Sequence, residues 1–233
     1  MSPLLIVTAQ TTCRTFSAAG PCATARSFVY GLRVEAVAEV SWSRLFHAVG
    51  VADDAPTVLD ALRRGDLDVD RAAQWRQPYT YLWLALYCEG RLTPATAPAL
   101  RFLASAVCAP DFGGADPTLR EGVVWFIREV ARTVCVDADI DRQRQLADAR
   151  HDPDVLAWLD EYLKAPRPVW EWTDDEAPGR TLLSASLVDC FELLPEIFEA
   201  VQPLLGSAQP ERLRRVTADA TAMLARHPRI ALP

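Results

Sequence analysis

The stretch DPTLREGVVWFIREVARTV, residues 116–134, carries the pattern that decides the fold. Its apolar residues recur every three or four positions, which places them on one face of a helix. They are Leu119, Val123, Phe126, Ile127, Val130 and Val134. Asp116 offers a side-chain oxygen to an unpaired backbone N–H, and Pro117 suits the first helical position because an N–H there would have no partner. The stretch therefore predicts an amphipathic α-helix with a defined start.

The same combination of cap, proline and apolar stripe recurs along the chain. Capped runs predict helices over about 54–65, 93–110 and 152–163, and apolar periodicity adds 38–49, 78–89, 181–194, 195–205 and 209–226. Pro195 predicts a break or kink between two of these helices. No segment alternates as a half-buried strand would, so the predicted class is all-α, over a domain of residues 35–233.

Helices that each carry one apolar stripe bury it by stacking on their neighbours, as in α-solenoids with repeats of about 40 residues. The segment Gly90-Arg-Leu-Thr-Pro-Ala-Thr-Ala-Pro-Ala-Leu-Arg-Phe-Leu103 resembles one found in bacterial HEAT-repeat proteins of high-GC organisms. In that family a His-Gln-Gly-Thr motif precedes Ala-Thr-Ala-Pro-Ala. Here Cys88-Glu89-Gly90-Arg91 takes its place, so only the glycine is kept. The tail 210–226 also resembles a HEAT helix. The resemblance implies an α-α superhelix, a scaffold fold without defined chemistry.

Composition limits the classes of partner. Half of the 233 residues are hydrophobic, which excludes a mainly disordered chain. The formal net charge is −7, which argues against general attraction to nucleic acid or to an anionic membrane. No apolar run approaches the roughly 20 residues that span a bilayer. We therefore expect a cytoplasmic protein with no membrane partner.

The six cysteines point to a reducing compartment rather than to a metal or redox site. They are Cys13, Cys22, Cys88, Cys108, Cys135 and Cys190. No pair is spaced as C-x-x-C, and the four in the body lie among apolar neighbours, as reduced core cysteines do. Asparagine is absent, so no N-glycosylation acceptor and no Cys-His-Asn catalytic set exists.

The first 34 residues differ from the rest of the chain. They contain Arg14, Arg26 and Arg33 but no acidic residue, and they show no sustained period. A signal peptide does not fit, because the apolar run Leu4–Val7 is too short. Two alternatives remain: a transit peptide, or upstream sequence translated from a start codon placed too early, with the true start near Val34. In either case we expect a poorly ordered leader.

Acidic residues and histidines invite a metal site, but their context favours structural roles. Four aspartates match positions 1, 3, 5 and 12 of a calcium-binding EF-hand loop; they are Asp137, Asp139, Asp141 and Asp148. That loop needs glycine at its sixth position, where Arg142 stands, so we interpret these residues as helix caps and predict no metal. His47 follows Leu45 and Phe46 and is predicted to be a core or flanking histidine with satisfied hydrogen bonds.

One enzymatic alternative comes from the fold. Some alkylpurine DNA glycosylases consist of HEAT-like helices with tryptophans and an aspartate on a basic concave face. Trp158 lies near Asp154 and Asp160, and two arginine groups are candidates for a basic patch: Arg63, Arg64, Arg71 and Arg76; and Arg212, Arg214, Arg215 and Arg226. The acidic body argues against this alternative, because DNA affinity rests mostly on phosphate neutralisation. No nucleotide-binding or hydrolase motif is present.

The binding surface is predicted at Ala165–Arg180, the longest irregular stretch in the body, where prolines that include Pro178 forbid a continuous helix. It contains Trp170 and Trp172, and tryptophan is enriched among residues that dominate binding energy. The alternative is that both rings fold back and cover a junction between repeats. The sequence thus predicts a non-enzymatic scaffold that needs no cofactor and binds another protein or a peptide.

Overall fold

The computed structural model describes residues 39–66, 77–114, 116–171 and 176–230. Helical residues make up 72% of this described part, and its strands are segments of only two residues. The all-α class predicted from the sequence is therefore confirmed. The predicted leader and Trp172 lie outside the described residues.

The described ranges contain eight α-helices: α1 (Ala55–Arg64), α2 (Pro78–Tyr81), α3 (Thr96–Ala106), α4 (Pro117–Arg132), α5 (Ile140–Ala147), α6 (Pro153–Lys164), α7 (Ala177–Val201) and α8 (Glu211–Leu224). Helices α2 and α4 continue as wider π-helical turns over Leu82–Leu86 and Thr133–Asp137. Two antiparallel hairpins pair β1 (Phe46–His47) with β2 (Gly50–Val51), and β3 (Tyr87–Cys88) with β4 (Arg91–Leu92).

The capping signals explain where α1 ends and where α4 begins. The Asp116 carboxylate accepts the backbone N–H of Thr118 at 2.8 Å, as an N-cap does. Helix α1 ends at Gly65, whose φ of 75° suits glycine. The backbone N–H of Gly113 donates to the carbonyl oxygen of Arg63 at 2.8 Å. The loop before α4 is thereby attached to the end of α1.

The helix predicted over 38–49 is wrong, because this segment contains the 3-10 turn Trp42–Arg44, strand β1 and the turn that leads to β2. At its turn, the N–H of Ala48 donates to the carbonyl oxygen of Ala85 at 2.8 Å. The carbonyl oxygen of Ala48 accepts the N–H of Val169, also at 2.8 Å. These bonds to distant segments replace those that a helix would make, so tertiary contacts override the local pattern.

A second hairpin shortens the helix predicted over 78–89. The helical turns end at Leu86, and Glu89 and Gly90 join β3 to β4. Both residues have positive φ, 51° and 82°, which a two-residue type I′ turn requires. Gly90, which follows the helix predicted over 78–89, therefore lies in a hairpin turn.

Neither Pro195 nor Pro178 ends a helix. Helix α7 passes through Pro195 without ending, although an interior proline removes a backbone hydrogen bond. Leu194 and Ile197 on either side are buried, so packing offsets that loss. Pro178 lies in the first turn of α7, where a missing N–H has no cost. The irregular stretch predicted for 165–180 therefore ends before Ala177.

Helices distant in sequence make the most extensive contacts. Helix α7 packs against α3, α5 and α6, and α4 packs against α8. In a solenoid each repeat contacts its neighbours in sequence. The α3–α7 and α4–α8 pairs depart from that order, so the α-α superhelix stays a prediction. None of the described helices is long and apolar enough to cross a membrane.

Candidate functional site

The loop between α6 and α7 contains the residue pair that the sequence singles out for binding. Trp170 lies in the 3-10 turn Val169–Glu171, and 50% of it is exposed. Trp172 lies outside the described residues, so its role stays a prediction. Val169 is buried in a small cluster with Phe46 and Tyr162. The valine therefore covers the neighbouring helices, while Trp170 faces solvent.

Hydrogen bonds hold this loop at several points. The Val169 N–H bonds to Ala48, and the Tyr162 hydroxyl donates to the carbonyl oxygen of Arg167 at 2.7 Å. The Arg167 guanidinium also lies 2.6 Å from the carboxylate of Glu176, just before α7. The exposed Trp170 ring is thus presented on a fixed turn.

A second candidate surface was not predicted from the sequence: an open groove of about 530 Å³. We call it the aromatic groove. It is lined by Tyr79, Asp116, Thr118, Leu119, Glu121, Gly122, Trp125, Arg212 and Val216. Trp125 is 44% exposed and Tyr79 is 38% exposed. Two large aromatic side chains therefore offer ring surface to solvent in one concave region.

The backbone at Gly122 allows the two aromatic residues to lie close together. A Cβ atom at this position would collide with the ring of Tyr79, so glycine lets that ring rest on helix α4. The Tyr79 ring meets Trp83 edge to face, with centroids 6.5 Å apart. On the same helix as Gly122, the Arg128 guanidinium lies 4.9 Å from the centroid of Trp125. These contacts define the orientation of both rings.

Charged residues surround the rings of the aromatic groove. Arg212 on α8 forms a 2.7 Å ion pair with Glu121 on α4. Asp116 caps α4, and the hydrogen bonds from Thr118 lower the pKa of its carboxyl group. The Asp116 carboxylate is therefore charged near neutral pH. With two carboxylates against one guanidinium, the groove carries a net negative charge.

A sequence signal for this groove does exist. Trp125 falls between the buried positions of α4 and outside the apolar stripe of Val123, Phe126 and Ile127. A tryptophan on the polar face of an amphipathic helix is a candidate for binding. The contribution of Tyr79 depends on contact between α2 and α4, which linear spacing does not reveal.

The prediction for His47 is confirmed. Its Nδ1 accepts the backbone N–H of Val49 at 3.2 Å, so the proton of the neutral ring belongs on Nε2. Nε2 lies 3.2 Å from a carboxylate oxygen of Asp54, which also accepts the Tyr81 hydroxyl at 3.0 Å. The cluster links the first hairpin to α1 and α2, which is a structural role.

The aspartates that resemble an EF-hand loop serve as caps and ion-pair partners. Asp139 accepts the backbone N–H of Arg142 at the start of α5. Asp137 pairs with Arg132 at 2.5 Å. Within the ranges that the structure describes, no three potential ligands form a metal-binding group.

Several residues of the nucleic-acid alternative are engaged in contacts with other side chains of the protein. The Trp158 ring stacks on Tyr162, with centroids 5.1 Å apart, which occupies the face that a base would use. Asp160 pairs with Arg44 at 2.7 Å. Arg63 of the first predicted patch bonds to two aspartates. This arrangement favours a packed helix junction over a base-binding surface.

Comparisons with protein-family models, with curated proteins and with solved structures gave no match. The resemblance to HEAT-repeat proteins therefore stays a prediction. The candidate function rests on the geometry of the two surfaces described above.

Proposed function

We propose that the chain is a non-enzymatic helical module that binds another protein or a peptide through the aromatic groove. The observation that carries this proposal is the joint exposure of Trp125 and Tyr79 in one concave surface. Tryptophan and tyrosine side chains often supply most of the binding energy at interfaces. The sequence resemblance to HEAT-repeat proteins favours the same function, because a HEAT-like superhelix also implies a scaffold.

The groove indicates the chemistry of the partner. An apolar or aromatic anchor fits against the two rings, since such rings bury large areas at little cost in side-chain entropy. The carboxylates of Asp116 and Glu121 favour a partner with a basic residue beside that anchor. Trp170, on its fixed turn, is a second contact point for a larger partner. No cofactor is needed for such binding.

Cysteine chemistry is consistent with a cytoplasmic location, which is part of the proposal. Among the described residues Cys88, Cys108, Cys135 and Cys190 are free thiols. Burial raises the pKa of Cys135 to about 11, and it also raises that of Cys190. Thiols that are not paired in disulfides suit a reducing compartment.

Selection from a displayed peptide library tests the proposal. The immobilised wild-type protein should enrich peptides that combine an apolar anchor with a basic residue. A Tyr79→Ala/Trp125→Ala variant should lose this enrichment while keeping its helical circular dichroism spectrum. Leu146→Ala is the matched control, because Leu146 is 45% exposed and does not line the groove. Equal enrichment by the double variant would reject the aromatic groove as the binding surface.

A further inference from the structure

A separate cavity of about 220 Å³ opens between α6, α7 and the segment that leads into β1. Its walls are mainly apolar and include Leu45, Phe46, Leu156, Leu159 and Leu182. Leu156 stands at the surface with 40% of its area exposed. The cavity shares no residue with the aromatic groove, so it needs a separate explanation.

Basic side chains lie on the same wall as these apolar residues. Arg44, Arg150 and His151 line the apolar cavity. Arg150 and His151 also line an adjoining, more polar cavity of about 330 Å³, together with Arg144. An apolar space and a polar space therefore meet at Arg150 and His151. Across both linings, three arginines stand against two aspartates, Asp148 and Asp189.

The two guanidinium groups at the apolar cavity keep donors for a ligand. Arg150 pairs with Asp189 through Nη1 at 2.9 Å, and Arg44 pairs with Asp160 through Nη1 at 2.7 Å. Both ion pairs are exposed, and such pairs contribute little to stability. Within the described part of the chain, Nη2 of either arginine makes no hydrogen bond. An incoming anion can therefore be bound without breaking a buried network.

We propose that this cavity binds a small amphipathic anion: a short aliphatic chain that ends in a carboxylate or a phosphate monoester. The chain lies against Leu156, Leu159 and Leu182, and the anionic group is bound by Nη2 of Arg150. The volume is below the range of about 300–1,000 Å³ that is usual for drug-sized ligands, which favours a chain of moderate length. This binding is independent of the proposed peptide-binding function, because the two surfaces share no residue.

Titration calorimetry with defined probes tests the proposal. Octanoate should bind saturably, and hexanoate should bind more weakly by on the order of tenfold, since each methylene group contributes about fourfold. Octylammonium has the same chain with the opposite charge and should bind least. Octyl phosphate is the second anionic probe, and its affinity relative to octanoate identifies the preferred anionic group. No saturable binding of either anion, or equal binding of octylammonium, would overturn the proposal.

Two substitutions test whether octanoate binds in this cavity. Leu156→Ala should weaken octanoate binding about fivefold through lost apolar contact. Arg150→Gln should weaken it about tenfold through a lost charge-assisted hydrogen bond. The matched controls are Leu146→Ala, at another exposed leucine, and Arg101→Gln, which breaks a similarly exposed ion pair to α7. Octanoate affinity that is unchanged in both test variants, or reduced equally in the controls, would contradict the assigned site.

Discussion

The indole Nε1–H of Trp158 donates a 2.5 Å hydrogen bond to a carboxylate oxygen of Glu176, across the loop that presents Trp170. The other oxygen of the same carboxylate accepts from Arg167. The Trp158 ring also stacks on Tyr162, whose hydroxyl bonds to the backbone of this loop. One carboxylate at the start of α7 therefore closes the loop against α6.

A substitution that removes the indole N–H of Trp158 but keeps an aromatic side chain tests the contribution of this hydrogen bond. Trp158→Phe keeps an aromatic ring beside Tyr162 but leaves Glu176 without one donor. We expect a loss of about 1 kcal/mol in the free energy of unfolding and a melting temperature lower by about 2–4 °C. Trp170→Phe is the control and should leave thermal unfolding unchanged, because Trp170 is exposed. Equal effects of the two substitutions would refute the assigned role of Trp158.

The loop network predicts an acid-dependent loss of stability. The hydrogen bond from Arg167, and then that from Trp158, holds the pKa of Glu176 below its ordinary value of 4.5. The stabilisation is complete above pH 4.5 and is lost as the pH falls below it, because the unfolded chain then binds the proton first. Glu176→Gln should lower the free energy of unfolding at neutral pH. It should also reduce the further loss of that free energy as the pH falls below 4.5. Glu161→Gln, which removes an exposed ion pair with Lys164, should leave the acid-dependent loss of stability as it is in the wild type.

A buried histidine predicts a second pH dependence, nearer to neutrality. Burial lowers the pKa of His227 from its ordinary 6.5, and the charge of Arg229 lowers it further. The folded state therefore favours the neutral ring, and the free energy of unfolding should fall as the pH drops below 6.5. Denaturant titrations at pH 7.5 and 5.5 should show a smaller difference for His227→Gln than for wild type. If the difference is unchanged, or if exposed His151→Gln removes it instead, this assignment is wrong.

A substitution at Gly122 tests whether the shape of the aromatic groove affects peptide binding independently of protein stability. Gly122→Ala places a methyl group against the ring of Tyr79, which is partly exposed and able to swing away. Alanine favours the helix by up to about 1 kcal/mol, so the melting temperature should stay constant or rise slightly. Binding of a selected peptide should nevertheless weaken, because the Tyr79 ring has moved. A loss of stability with intact binding would show that the ring is held structurally.

The helical class and the helix starts could be predicted from the sequence because they depend on local chemistry. Asp116 with Pro117, and Gly65 at the end of α1, function as their residue types suggest. The segment 38–49 could not be predicted, since its conformation depends on the backbone bonds of Ala48 to two distant segments. The packing of α3 on α7 and of α4 on α8 is also long-range, and apolar periodicity does not encode which helix meets which.

The two candidate surfaces, the Trp170 loop and the aromatic groove, also differ in whether the sequence could predict them. Trp170 was predicted as a binding residue from local composition, and the structure exposes it. The aromatic groove brings Tyr79 beside Trp125 from separate helices, so no linear pattern connects them. Gly122 had no evident role in the sequence until the neighbouring ring of Tyr79 was located.

The most direct test of the central claim is the affinity of a library-selected peptide, measured by titration calorimetry against wild type and single variants. We expect Trp125→Ala to weaken binding at least about tenfold, as loss of an interface tryptophan commonly does. Leu146→Ala should retain wild-type affinity, and both variants should melt within about 2 °C of the wild type. Unchanged affinity in a folded Trp125→Ala variant would contradict the claim that the aromatic groove is where this protein binds its partner.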